Sequence, residues 1–324
     1  MKKLTAILLC VLMILPFVSC TKKEENEITV VLDWTPNTNH TGLYVALEKG
    51  FYEELGLKVN IQQPPEDGAT SLVASGKAEF GVDFQDYLAA AYATDDPLPV
   101  TAVAALIQHN TSGIISMADK GINSAKDLEG KSYATWDLPI EKAMIKDCME
   151  KEGGDFSKLE LIPSTVTDTM TAIQTNVDSV WIYYAWDGVA CETKGLETNY
   201  FAFKDIDPAF DYYTPVLIAN NSFLKDSPEL AKAFLEATQK GYEYAIEDPG
   251  KAADILLKYA PELDRDIVKA SQEYLAKEYI ADAKRWGEFD QKRWDAFFDY
   301  LWDNKLTEKE IADGFGFTND YLPE

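Results

Sequence analysis

From Ile28 onward the chain alternates short β-rich runs with helical periods, and no other feature limits its possible folds as strongly. Ile28, Val30, Val31 and Leu32 read as a strand. Leu43, Leu47, Phe51 and Leu55 then recur at every fourth residue, which puts them on one helix face, and Gly56 ends that helix. Strands are expected at residues 57–61, 80–82 and 100–107, with short helices at 70–75 and 86–93. Parallel strands need long crossovers, and helices supply them, so this order predicts an α/β protein with a mostly parallel sheet covered by helices.

The pattern then repeats. An extended stretch at 113–117 and a short capped helix at 124–129 lead to strands at 131–135, 159–162 and 177–183, with helices at 140–151 and 168–175 between them. The extended stretch 216–219 returns the chain. Ser227 followed by Pro228 is a strong helix start, and Leu230, Phe234, Ala237 and Gly241 give that helix an apolar face. Helix with a polar face is expected from there to about residue 315. Two α/β lobes follow, each with a mixed, mostly parallel sheet, joined by crossovers near 110–118 and 210–220 that could hinge. Residues 28–113 and 216–324 would form one discontinuous lobe, and 114–215 the inserted one.

The N-terminus reads as an address. Met1-Lys2-Lys3 is a basic start, and the apolar run to Val18 is shorter than the roughly 20 residues a spanning helix needs. Phe17-Val18-Ser19-Cys20 resembles a lipobox, with Phe17 where Leu is usual. Residues 1–20 are thus expected to be a lipoprotein signal, Cys20 the palmitate-bearing residue and 21–27 a polar tether on the extracytoplasmic face of the cell membrane. Beyond Cys10 in the signal, Cys148 and Cys191 remain; export permits a disulfide, but two isolated buried thiols are the preferred reading. Histidine occurs only at His40 and His109, so no metal-ligand spacing exists and no metal or cofactor is expected.

With 55 acidic and 30 basic side chains the net charge is −25, which excludes nucleic acid, because a phosphate backbone would be repelled. The arginines are more telling. All three lie in the last quarter, at Arg265, Arg285 and Arg293. A site that clamps a sulfonate or phosphate usually employs the guanidinium fork.

Ligands of open α/β sheets bind beyond the carboxyl ends of the strands. Four expected strand ends carry an aromatic ring beside an aspartate: Asp33-Trp34, with Asn37 and His40 in the same loop; Asp83-Phe84-Gln85; Trp136-Asp137; and Tyr184-Ala185-Trp186-Asp187. Rings from facing lobes can sandwich a flat ligand, each contact contributing about 0.5–1.5 kcal/mol beyond burial. Carboxylates accept charge-assisted hydrogen bonds from amino groups or a protonated ring nitrogen. The expected ligand is planar, nitrogen-rich and neutral or cationic. Each element also has a plainer role: an aspartate there often caps a helix, His40 could equally tie its own loop, and Trp181 and Tyr183 alternate with Ile182, so part of that run faces the core.

The run Leu32-Asp-Trp-Thr-Pro-Asn-Thr-Asn-His-Thr-Gly-Leu-Tyr-Val-Ala46 resembles the solute-binding proteins of ABC importers related to the yeast pyrimidine-precursor synthase. The likeness continues through residues 48–57, 81–87, 104–108, 126–131, 177–188 and 211–217. It implies a type II periplasmic-binding-protein fold whose lobes close on ligand. It also implies a pyrimidine precursor of thiamine as the ligand, with riboflavin or another nitrogen heterocycle in neighbouring branches, and an ABC permease as partner to a monomeric binding protein. Family members stack the heterocycle on aromatics and read its amino edge with an acid. Those roles fall on Trp34, Asn37 and His40, and on Tyr184, Trp186 and Asp187, where relatives often carry the longer Glu. The enzymatic branch needs iron and a cysteine cluster. This chain has no such cluster, so the resemblance implies a binding protein and not a synthase-like enzyme.

Overall fold

A computed structural model describes residues 26–66 and 68–324. The signal, Cys20 and nearly all of the tether lie outside the described residues. The described residues form ten strands: β1 Glu27–Val31, β2 Lys58–Gln62, β3 Phe80–Asp83, β4 Val100–Ala105, β5 Ser112–Met117, β6 Ser132–Thr135, β7 Glu160–Pro163, β8 Ser179–Tyr183, β9 Thr198–Ala202 and β10 Val216–Asn220.

They form two five-stranded sheets with one shared plan. The first has the order β2-β1-β3-β10-β4 and the second β7-β6-β8-β5-β9. In each, three parallel strands are followed by one antiparallel strand: β10 in the first sheet, β5 in the second. These two are the strands that arrive from the other sheet. A chain that leaves one sheet at its carboxyl end enters the next from the same side, and so must run against the resident strands. The amino ends of β5 and β10 therefore lie beside the carboxyl ends of β8 and β3, as the pairs Ser112–Tyr183 and Val216–Asp83 record.

The crossovers are bonded to each other. The amide of Leu106 donates to the carbonyl of Pro215 (3.1 Å), and the amide of Asn110 to Asp211 Oδ1 (3.0 Å). The expected lobe boundary between 113 and 114 falls inside β5, because the crossover ends at Thr111. The expected strand at 100–107 stops at Ala105 for the same reason. β9 was not expected; four of its five residues are only half-buried, so it shows no alternation. Helix does not continue to 315. It runs Pro228–Glu247, Pro249–Tyr259, Arg265–Leu275 and Gln291–Asp303, and residues 304–324 are irregular.

The long helix Pro228–Glu247 packs closely on Thr41–Glu48. A Cβ on Gly241 would sit 2.0 Å from the carbonyl oxygen of Gly42, and one on Gly42 would sit 2.2 Å from the Tyr242 ring. Two glycines at the crossing thus set the distance of the helix that follows the 33–40 loop. Cys148 and Cys191 are both free and buried. Burial pushes the Cys191 thiol up to about 11, which makes it a poor nucleophile.

Candidate functional site

The loop after β1 is held from several sides. Asn37 caps the short turn Thr38–His40, its Oδ1 accepting from the amide of Asn39 at 2.9 Å. His40 is fully buried; its Nδ1 accepts from the amide of Asn37 (3.2 Å) and its Nε2 bonds Asp33 Oδ1 (2.5 Å). Tyr279 and Tyr242 hydroxyls donate to the carbonyls of Thr38 (2.6 Å) and Asn39 (2.7 Å). Both ring nitrogens of His40 are thus used inside the loop, and the arrangement positions Asp33. Trp34 stands clear, 68% exposed.

At the end of β3, Asp83 accepts from the Thr70 hydroxyl and from the amide of Phe84. Burial pushes its carboxyl above the usual range; those two bonds oppose the shift, and Asp33 adds to it. Gln85 is fully buried. Its amide group donates to the carbonyl of Trp294 (2.7 Å) and its Oε1 accepts from the amide of Tyr213 (2.9 Å). Gln85 therefore ties this loop to the returning crossover, and its side chain is spent there. Asp86 lies in the first turn of the helix Gln85–Tyr92. Its Oδ1 is closed to solvent and has no hydrogen-bond partner among the described residues. Burial, with Asp83 adding to it, pushes its carboxyl up to about 7 against the pull of the amides of Asp86 and Tyr87.

The second lobe contributes two aromatic groups. Trp136, 42% exposed, lies 5.9 Å from Trp181. Tyr183 ends β8, and its ring faces Phe84 of the first lobe at 6.2 Å and 16° from parallel. The chain then makes a π-helical turn, Tyr184–Gly188; such turns are frequent at functional sites. Tyr184 packs on Tyr200 (4.7 Å) and Tyr274 (5.4 Å) and bonds Glu192. Trp186 packs against the first lobe's core. Asp187 accepts from the Thr169 hydroxyl (2.9 Å), and burial raises its carboxyl.

The expected residues thus divide. Phe84 meets the second lobe at Tyr183, while Asp83 beside it is bonded to Thr70 of its own lobe. Asn37, His40 and Gln85 are bonded into the scaffold, Asp187 already has a partner, and Tyr184 and Trp186 pack beside the Arg265–Leu275 helix and the first lobe. Asp86, Tyr87 and Tyr183 were not among the candidates, and Asp33 stood out only as the acid beside Trp34. Only the pairing of β3, β8 and the crossovers brings them together.

Behind the crossovers lies an open groove of about 590 Å³, lined by His109, Lys204, Asp211, Lys292 and Arg293 among others. Arg293 donates to the carbonyl of Gln108 (2.7 Å) and the hydroxyl of Tyr213 (2.7 Å) and pairs with Asp211 (3.3 Å). Arg265 pairs with Asp254, and Arg285 donates to the carbonyl of Pro323. All three guanidinium groups are engaged by the protein.

Two similar sheets joined by paired crossovers define the class, a type II periplasmic-binding-protein fold with two lobes. The alkanesulfonate-binding protein SsuA of Xanthomonas axonopodis pv. citri matches 92% of this chain and 99% of its own at a TM-score of 0.68. At 12% identity that likeness concerns the fold alone. Residues 37–252 match the family described as NMT1/THI5 like, and the chain belongs to that family. The formylaminopyrimidine-binding protein of Halalkalibacterium halodurans is 29% identical over 84% of this chain and 83% of its own. A 4-amino-5-hydroxymethyl-2-methylpyrimidine phosphate synthase of Saccharomyces cerevisiae is 27% identical over 75% and 74%.

Proposed function

We propose that this chain is the solute-binding component of an ABC importer and that it takes a small planar aminopyrimidine between its lobes. The observation that carries the reading is the pairing of Phe84 with Tyr183 beside Asp33, Asp83 and Asp86. Rings from opposite lobes suit a flat heterocycle, and buried carboxylates suit its amino edge. The engaged arginines argue against a sulfonate or phosphate ligand. The two relatives are each named for an aminopyrimidine, which supports the same ligand class here.

The binding role, as opposed to a synthase role, is supported by His40, whose ring nitrogens are both bonded within its own loop. Delivery would proceed by opening and closing about the two crossovers, with ligand favouring the closed state through contacts made only there. Trp34 and Trp136, the exposed rings, would complete the cleft rim. Cys20 would carry the lipid that holds the protein at the extracytoplasmic membrane face, beside its permease.

The test is to denature the purified protein and identify the released small molecule by mass spectrometry. An aminopyrimidine is expected; an aliphatic sulfonate or an amino acid contradicts the reading. Labelled palmitate should enter the chain in its host and fail to enter Cys20→Ala.

A further inference from the structure

Glu141 is 3% exposed, and both of its carboxylate oxygens are filled from within the chain. Oε1 accepts from the Tyr133 hydroxyl (2.6 Å) and the amide of Trp136 (3.1 Å). Oε2 accepts from the Thr135 hydroxyl (3.0 Å) and the amide of Leu138 (3.2 Å). All these donors are neutral. A buried carboxylate is costly unless such bonds satisfy it. Its own helix helps as well. Glu141 lies in the first turn of the helix Pro139–Lys151, where the positive end of the helix favours an anion.

The donors come from one strand end and the turn that follows it. That turn is strained. Asp137 has a φ of 66°, in the left-handed region that few residues other than glycine adopt. Its amide donates to Thr135 Oγ1 (2.9 Å), and its carboxylate pairs with Lys142 (2.6 Å). Strain of this kind persists only where the surroundings overdetermine it. Glu141 does so by holding the amides on both sides of Asp137.

Trp136 lies inside this held turn. β6 runs parallel to β8, with Ala134 beside Val180, so the chain after β6 leaves the sheet at the same edge as Tyr183. That edge meets Phe84 of the first lobe. The Trp136 ring is 42% exposed and leans on Trp181 at 5.9 Å. A half-exposed indole owes much of its position to its backbone. Glu141, with its oxygens filled, offers a ligand nothing directly.

We propose that Glu141 is a positioning residue for the second lobe's stacking ring: it fixes the turn 135–138 and so holds Trp136 at the cleft edge before ligand arrives. A ring already fixed has less freedom to lose on binding. That Trp136 contacts ligand rests on the aminopyrimidine reading above; that Glu141 fixes Trp136 does not.

The experiment joins NMR of the tryptophan indole N–H signals to calorimetry, both on the intact protein. Trp136→Phe identifies the Trp136 signal by its loss. In Glu141→Gln, whichever way the new amide is turned, an NH2 group faces the amide of Trp136 or of Leu138. Without ligand, that variant should show the Trp136 signal shifted and broadened or doubled. It should bind 4-amino-5-hydroxymethyl-2-methylpyrimidine about fivefold more weakly, and Trp136→Ala should bind it about tenfold more weakly. Adding Glu141→Gln to Trp136→Ala should weaken binding no further, because Glu141 acts through that ring. An unchanged Trp136 signal in Glu141→Gln, or an equal loss of affinity in both backgrounds, overturns the proposal. Absence of binding by the wild type overturns the ligand reading and the contact at Trp136, and the ligand-free signal then decides the positioning alone. Should Glu141→Gln fail to fold, Thr135→Val removes one donor to Glu141 and the acceptor of the Asp137 amide. An unchanged Trp136 signal in that variant overturns the positioning.

Discussion

The rings of Phe84 and Tyr183 face each other at 6.2 Å, one from the end of β3 and one from the end of β8, and so join the two sheets across the cleft. A flat ligand entering from the rim would meet this pair. Phe84→Ala removes one face of the slot. Because Phe84 is only half-buried, the variant should keep its melting temperature within about 3 °C, since 1 kcal/mol shifts a chain of this size by about 2–4 °C. Its affinity for aminopyrimidine should fall about tenfold, consistent with a lost aromatic contact plus lost burial. Calorimetry and thermal melts read the two quantities separately.

The crossing of Gly241 on Gly42 leaves no room for a side chain. Gly241→Val would drive a branched chain into backbone at a point where a Cβ alone lies 2.0 Å from an oxygen. Overpacking of this kind costs about 1–3 kcal/mol or more. The expected result is a melting temperature lower by about 5 °C or more, measured by calorimetry, and weaker ligand binding because the loop holding Asp33 moves with the helix.

Burial of Asp86 makes stability depend on pH. Its carboxyl is held at about 7 in the folded chain, against about 3.9 when unfolded. Between those values the folded state holds a proton that the unfolded state has released. Stability from this group therefore falls as pH rises through that window and levels off above pH 7. Asp86→Asn removes the penalty. At pH 8 it should melt at or above the wild-type temperature, and the gap between the two should shrink toward pH 4.

Stability from His109 also falls as pH rises, over a higher window. Its hydrogen bond to Asp211 Oδ2 (2.7 Å), with a further bond to Asp282, raises its pKa, against the opposing effects of burial and Arg293. A raised histidine stabilises the folded state below its unfolded value near 6.5, and that contribution is lost as pH rises through the folded value. With only His40 and His109 in the chain, the imidazole signals can be followed by NMR. In Asp211→Asn the His109 midpoint should move down.

Much of the scaffold was legible because strand and helix periods differ locally. β1, β3, β6, β8 and β10 were found to within two residues, since each is an apolar run ended by a polar turn or capped helix. β9 escaped because its half-buried edge position gives Thr198–Ala202 no alternation. At the site, rings and acids at strand ends were visible in sequence, and Phe84 sits where the lobes meet. The fate of each neighbour was not visible. Whether Gln85 or His40 faces a ligand or the scaffold depends on Tyr213, Trp294 and Asp33, and the first two of these are distant in the chain. Asp86 stood out only as the first residue of the expected helix 86–93, because the groups around it include Tyr183 of β8 and Tyr212 of the returning crossover.

The central claim is that the cleft selects an aminopyrimidine. Its most direct test is calorimetric competition on the delipidated full-length mature chain, with 4-amino-5-hydroxymethyl-2-methylpyrimidine titrated in the absence and presence of excess alkanesulfonate. The account predicts tight, saturable binding of the pyrimidine at one site per chain, unaffected by the sulfonate. Tight binding of the sulfonate with the pyrimidine inert would contradict it.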